Sequence, residues 1–389
     1  MKKMRQYIVL ATAAALLTAC SNDADETTGG YVPSDEAIAF DVADDSQTRA
    51  PGEIVENDAN DLVAAGGFGV FACYTGKLTY ENTTVSPDFM YNQHVTGTKS
   101  GEDIIWSYSP VKYWPNSATD RVSFFAYAPY EANPKDDGTK CIIDMSKSND
   151  LGDPWINYRI ATDPWSTTNP QVDLLFGTKK GDGDTYTHWL DQLREDYDIN
   201  SKLTFSFRHA LACIGDEITI CLSSDLAALI AGYADINITH LQIDYKNLTA
   251  KGHLVLYKIG GTANWKEIIS GEITTTRTYH KDVNITFDKG ATDNTDAKDL
   301  SEGDGLFYIP IQVKGADAAC AEVTITYTVT NNAGSSYSGT SSTTFPLDIN
   351  LGEGNKQGIA LRLSKNLDLQ HLVYEIGTGA TESSFSRQR

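Results

Sequence analysis

The feature that most constrains this chain is the recurrence of short apolar runs with a period of two, separated by turn formers. Leu203, Phe205, Phe207, His209, Leu211 and Cys213 alternate with polar or small residues, as one face of a half-buried strand requires. Ile218, Ile220 and Leu222 continue on the opposite parity, which places a bulge or turn near Gly215. Gly67 to Tyr74 and Val122 to Ala128 are continuous apolar runs of the kind buried on both faces. Further strands are expected at 236–245, 253–259, 283–287, 306–313, 323–329, 343–349, 359–363 and 369–376. Residues 131–202 read as looser, with order expected at Val172 to Gly177 and a short helix from Thr187 to Tyr197. Helical periodicity is otherwise confined to Asp225 to Gly232. Strands at this spacing predict an all-β chain built from β-sandwiches.

The N-terminus carries address information. Lys2, Lys3 and Arg5 precede an apolar run from Tyr7 to Leu17, about half of what spans a bilayer, so residues 1–19 read as a signal peptide. Leu17-Thr18-Ala19-Cys20 resembles the bacterial lipobox, which implies acylation of Cys20 (palmitate among the chains) and cleavage on its N-terminal side. From Cys20 to Thr48 there are eight acidic residues and no Lys or Arg. Such a stretch cannot collapse on itself and reads as a tether within the segment 20–49. The acids just after Cys20 also resemble a signal for transport to the cell surface.

The formal charge is −21, and removal of 1–19 leaves −24. A chain so acidic, with no basic block, is unsuited to nucleic acid. Cys73, Cys141, Cys213, Cys221 and Cys320 form an odd set without a C-x-x-C pair, which argues against a disulfide framework or a zinc site. Asp196-x-Asp198-x-Asn200 opens like a calcium loop but has Ser201 and Phe207 where Gly and the closing Glu belong. His209 reads as a hydrogen-bonded core histidine. No metalloprotease, nucleophile-elbow or phosphate-loop pattern is present, so no catalytic residue, metal or cofactor is assigned and the chain is not read as an enzyme.

Four motifs then carry a family resemblance: Phe68-Gly69-Val70-Phe71-Ala72, Tyr113-Trp114-Pro115, Val122-Ser123-Phe124-Phe125-Ala126-Tyr127-Ala128-Pro129, and Leu203 through Ala212. In this order and spacing the chain resembles the fimbrillin family, subunits of the type V pili of gut and oral Gram-negative bacteria. The resemblance covers most of 38–376. It implies two tandem transthyretin-like sandwiches, here 50–200 and 201–376, followed by a polar tail at 377–389. That tail departs from shaft-type members, which end in an apolar strand.

The resemblance further implies a lipoprotein precursor at the outer membrane, cut by an Arg-specific protease between residues placed like Arg49 and Ala50. Loss of the first strand opens an apolar groove that a neighbouring subunit's strand fills. Ile38, Phe40 and Val42 share one face and form the expected removable strand. Leu372, Tyr374 and Ile376 form the expected donor strand, the alternative being that 369–376 is only the last strand of its own domain. The implied partners are other pilus subunits, the membrane through the lipid, and a host or bacterial surface. A different reading is a monomeric surface lipoprotein that binds glycan on Trp106, Tyr108, Tyr113 and Trp114.

Overall fold

The computed structural model of the 389-residue chain describes residues 32–43, 59–81, 85–168, 170–183, 185–197, 201–258, 262–268, 273–301, 303, 305–347 and 353–376. Among them the chain is nearly all β, with two short helices, Ala59–Ala64 and Ser224–Ile230. The second lies where helical periodicity occurs. Ser223 caps it, its hydroxyl accepting from the Leu226 amide at 3.3 Å.

The first sheet runs Phe40–Val42, Leu203–His209, Leu175–Lys180, Arg121–Ala128, Phe68–Gly76, Met90–Ser100, Asp103–Tyr108. Its two central strands, Phe68–Gly76 and Arg121–Ala128, are the continuous apolar runs. Phe68, Val70, Phe124 and Ala126 face one core, whereas Phe71, Cys73, Phe125 and Tyr127 face another. Both faces are covered, so neither strand needs polar alternation. Gly69 and Tyr127, from two different motifs, fit together. A Cβ at Gly69 would lie 2.2 Å from Tyr127 Cε1, and the Tyr127 hydroxyl donates to Asn92 Oδ1 at 2.7 Å.

The second half is a sandwich of two sheets. One is ordered Thr274–Phe287, Ala234–Thr249, Cys320–Asn331, Ser336–Pro346, and the other Lys298–Asp299, Ala212–Leu222, Lys356–Leu363, Leu369–Glu375 with Leu306–Tyr308 also on Ala212–Leu222. Ile236, Ile238, Leu241, Ile243, Val323 and Ile325 of the first meet Ile218, Ile220, Leu222, Ile359, Leu361 and Leu363 of the second. The bulge expected at Gly215 is present: φ there is +80° and the pairing with Lys356–Leu363 shifts between Ile214 and Ile218.

Three sequence expectations are adjusted by the pairing. Leu203–His209 belongs to the first sheet, bonded to Leu175–Lys180, so the chain passes to the second sandwich at Ala210 and Leu211 rather than at residue 200. A further sheet joins Ile142–Met145 and Trp155–Arg159 from the looser region to Lys251–Val255 and Asn264–Glu267. One core therefore runs from Phe71, Phe125 and Phe176 through to Ile238 and Ile359, and the halves are not separated by a linker. Finally, the helix expected over Thr187–Tyr197 is a strand, Trp189–Leu193, followed by a 3₁₀ turn at Arg194–Asp196. The Asp191 amide bonds to Ser123 Oγ at 2.9 Å and Asp191 has φ +54°, so tertiary pairing overrides local propensity.

Candidate assembly groove

The segment from Val32 to Ala43 spans the gap between two strand edges. Pro33–Ala37 pairs antiparallel with Tyr113–Pro115, and the Ile38 amide donates to the Lys112 carbonyl at 2.9 Å. The Tyr108 hydroxyl donates to the Ile38 carbonyl at 2.8 Å. The chain then crosses to the opposite edge, where Phe40, Asp41 and Val42 pair in parallel with Leu203, Thr204 and Phe205. Amide donors from Leu203 to Ala39 O at 2.9 Å and from Ala43 to Phe205 O at 2.8 Å flank that pairing.

The period of two sends Ile38, Phe40 and Val42 inward, with 1%, 2% and 8% of their surface exposed. The Phe40 ring is enclosed by Tyr108, Phe205 and Phe124 at centroid distances of 5.3, 5.9 and 6.0 Å. Asp41 points outward, its carboxylate 2.9 Å from Lys202 Nζ. Burial of three such apolar side chains contributes roughly 1.5–3 kcal/mol each. The sum is comparable with the net stability of a domain, about 5–15 kcal/mol. Emptied of this segment, the groove would expose Phe124, Phe205 and Tyr108 beside unpaired strand edges, which favours re-occupation by another strand.

The other residues singled out from sequence fall as follows. Cys20, Arg49 and Ala50 lie outside the described residues, as do Asp198 and Asn200 of the calcium-like stretch. His209 is buried, its Nδ1 2.6 Å from Asp173 Oδ2. Of the four aromatics read as a sugar platform, Trp114 is buried and stacks on Tyr197 at 4.7 Å, Trp106 packs on Phe68 at 5.1 Å, and Tyr108 lines the groove; only Tyr113 is exposed. None of the described cysteines is in a disulfide, and four of them are buried. Burial pushes the Cys73 thiol up, with Asp88 and Asp153 adding to the effect.

Leu369–Glu375 is the edge strand of its own sheet, antiparallel to Lys356–Leu363. Leu369 and Val373 face the large core. His371 stacks on Phe345 at 4.6 Å, and its Nδ1 lies 2.9 Å from Thr343 Oγ1. Leu372 and Tyr374 lie on the opposite face, in a small cluster with Ala360 outside both large cores. The Tyr374 ring rests over Gly358, where a Cβ would come within 2.5 Å of Cζ, and its hydroxyl donates to Glu217 Oε1 at 2.6 Å. Ile376 follows the strand, its amide 3.1 Å from Lys356 O. The parallel partner of the first strand and the hydroxyl of Tyr108 are groove features that sequence reading missed, because no local pattern encodes them.

The family model of fimbrillin-like proteins matches residues 48–376. The fimbrium subunit Fim1C of Phocaeicola vulgatus is 27% identical over 329 residues, which cover 79% of this chain and 77% of that protein. A crystal structure of a fimbrial protein from Bacteroides vulgatus shares the fold, with a TM-score of 0.63 and 22% identity, covering 88% of this chain and 99% of the other. The four motifs on the central strands and groove walls thus carry a relationship that extends through both halves, and the chain belongs to the fimbrillin-like family.

Proposed function

We propose that this chain is a fimbrial subunit made as a lipoprotein and polymerised by donor-strand exchange. Cys20 is acylated after export and holds the precursor at the outer membrane. Cleavage between Arg49 and Ala50 frees the segment that contains Ile38, Phe40 and Val42, and a strand of another subunit takes its place. Leu372, Tyr374 and Ile376 are the donor side chains in this reading, and a surface receptor is a further partner of the finished fimbria.

The observation that carries the proposal is the seating of Ile38, Phe40 and Val42. They complete the first core, yet the strand that holds them at Leu203–Phe205 is only three residues long. A segment so placed is costly to leave out, and its backbone ties run to strand edges that another extended segment can use, as strand replacement requires. In sequence the turn formers Ser46-Gln47-Thr48-Arg49-Ala50-Pro51-Gly52 follow it, the composition in which proteolytic cutting concentrates.

The test is the N-terminal residue of protein sheared from the surface of cells that make the wild type, Arg49→Ala or Cys20→Ala. The wild type should begin at Ala50 in ladder-forming polymers. Arg49→Ala should keep 20–49 and fail to polymerise, and Cys20→Ala should leave the detergent phase. Normal polymers from Arg49→Ala would overturn the processing step, and undiminished detergent partition of Cys20→Ala would overturn the lipid anchor.

A further inference from the structure

Ser336–Pro346 ends its sheet: it pairs with Cys320–Asn331 on one side, and among the described residues no strand lies on the other. Alternate backbone N–H and C=O groups along that outer side are open to another chain. Proteins commonly guard such an edge with charge. Asp103–Tyr108, Ile142–Met145, Asn264–Glu267, Thr274–Phe287 and Leu369–Glu375 also end sheets and each carries at least one charged residue, whereas Ser336–Pro346, eleven residues long, carries none. We propose that this edge pairs with the same edge of a second copy of the chain, antiparallel about a two-fold axis at Gly339, and so joins subunits side by side. The contact lies outside the donor-strand reading and needs no strand to leave its place.

The missing charge is what admits a second copy. With 52 acidic against 31 basic residues, two copies repel over most of their surfaces, and an uncharged edge is where identical segments can meet with no like charges opposed. Only an antiparallel, isologous pairing lets both copies use the same edge. The axis at Gly339 sets Ser338 opposite Thr340 and Ser336 opposite Ser342 on the solvent face. These hydroxyls already continue a ladder from the neighbouring strand: Thr324 to Ser342 at 2.8 Å, Thr328 to Ser338 and Thr330 to Ser336 at 3.0 Å. A hydroxyl donates once and accepts twice, so each can extend the ladder by one more strand.

On the other face the same axis sets Tyr337 opposite Ser341, with Gly339 diagonal to it. Tyr337 is 62% exposed, an aromatic ring without cover beside two small residues. Gly339 is small for a reason: a Cβ there would come within 2.7 Å of the Tyr327 hydroxyl oxygen beneath it. The tyrosine of each copy therefore finds a shallow seat on the other, and this fixes a register that alternating Ser and Thr leave open.

The pairing is confined to Ser336–Ser342, because His371 of the adjacent sheet comes up against Thr343 and Phe345. That run spans roughly 24 Å at the rise of an antiparallel strand. Two such edges bury well under the ~1,200 Å² of a stable complex, so free subunits associate weakly. Subunits repeated along two neighbouring fimbriae present the edge many times, and the weak contacts then act together.

Sedimentation equilibrium of the full-length, uncut protein from about 10 μM to about 1 mM reads the association. The wild type should show a monomer–dimer equilibrium that tightens as salt is raised, because the edge holds no ion pair to screen and the bodies repel. Thr340→Lys, an exposed change that lowers the net negative charge, should nevertheless abolish it; Asn284→Lys, on the opposite edge of the sheet, should not. Tyr337→Ser should weaken it about five-fold, the scale of two cross-strand pairs. Ser338→Cys protein mixed with Thr340→Cys protein should form a disulfide-linked pair on a non-reducing gel, in excess of either variant alone and of the wild type, which control for the native thiols.

A wild type that stays monomeric over this range at high salt would overturn the proposal. So would dimers that persist in Thr340→Lys with its fold intact by circular dichroism, or that disappear equally in Asn284→Lys. Linking no stronger in the mixture than in the single variants would overturn the axis at Gly339. Since the protein is uncut and its groove filled throughout, none of these outcomes bears on donor-strand exchange.

Discussion

The hydroxyl of Tyr108 donates to the carbonyl of Ile38 at 2.8 Å, so an edge strand of the first sheet holds by a side chain a segment that it does not hold by its backbone. A neutral hydrogen bond of this kind is worth about 1 kcal/mol net. Tyr108→Phe keeps the ring against Phe40 and removes this bond together with the hydroxyl's longer contacts to the Lys112 carbonyl and amide, both at 3.3 Å. Amide exchange at Phe40–Val42 should then accelerate about five-fold, with the global melting temperature nearly unchanged. Hydrogen–deuterium exchange with peptide resolution checks this, and equal exchange in both proteins would count against it.

Phe40→Ala should destabilise the uncut protein by about 3–5 kcal/mol, because it empties a site walled by three aromatic rings. After cleavage at Arg49 and separation of the released segment, the variant and the wild type are the same polypeptide. Urea melts before and after cleavage should show the difference and then its disappearance. A difference that survives would mean that the cut segment stays seated.

Gly69→Ala should cost about 1–3 kcal/mol through overpacking, since the new methyl meets a buried ring held in place by Asn92. On a Tyr127→Ala background the same change should cost at least about 1 kcal/mol less, because contacting residues couple. A double-mutant cycle from thermal melts measures the difference. Additive costs would show that the methyl meets something other than Tyr127.

His188 supplies a pH dependence. It is buried beside Phe125 and Tyr257, and burial lowers its pKa from 6.5 to about 4. The folded state therefore binds this proton less readily than the unfolded state. The resulting stability is fully present above pH 6.5 and is lost as the pH falls toward 4, a loss of about 3 kcal/mol over the window. His188→Gln should flatten that part of the stability profile. Urea melts at intervals between pH 7 and pH 4 make the comparison, and identical slopes for the two proteins would rule out His188 as the source.

How far the sequence carries can be seen strand by strand. Leu203–His209 was legible as a strand, because alternation reports burial on one face. Its membership of the first sheet was not, because alternation does not name a partner. Of Ser336–Pro346 only the end, within the strand expected at 343–349, was legible: a single residue, Phe345, is buried along it, and the exposed Ser and Thr run before Thr343 gives no apolar signal to read. The inward set Ile38, Phe40 and Val42 was readable for the same reason as Leu203–His209. Their surroundings were not, since Asp41 and Lys202 lie 161 positions apart and only the folded chain brings them together.

The two residues between Leu203–His209 and Ala212–Leu222, Ala210 and Leu211, are both fully buried, and this has a mechanical meaning. In a polymer joined through the groove at one end and Leu369–Glu375 at the other, tension enters beside Leu203–His209 and leaves through Lys356–Leu363, the parallel neighbour of Ala212–Leu222. Two consecutive strands with no slack between them form the load path. Force then acts along the strands, so many backbone bonds must break together rather than one after another. On the donor-strand reading proposed above, a subunit built this way would resist stretching as a rod does, and the give in the fibre would be confined to the joints between subunits.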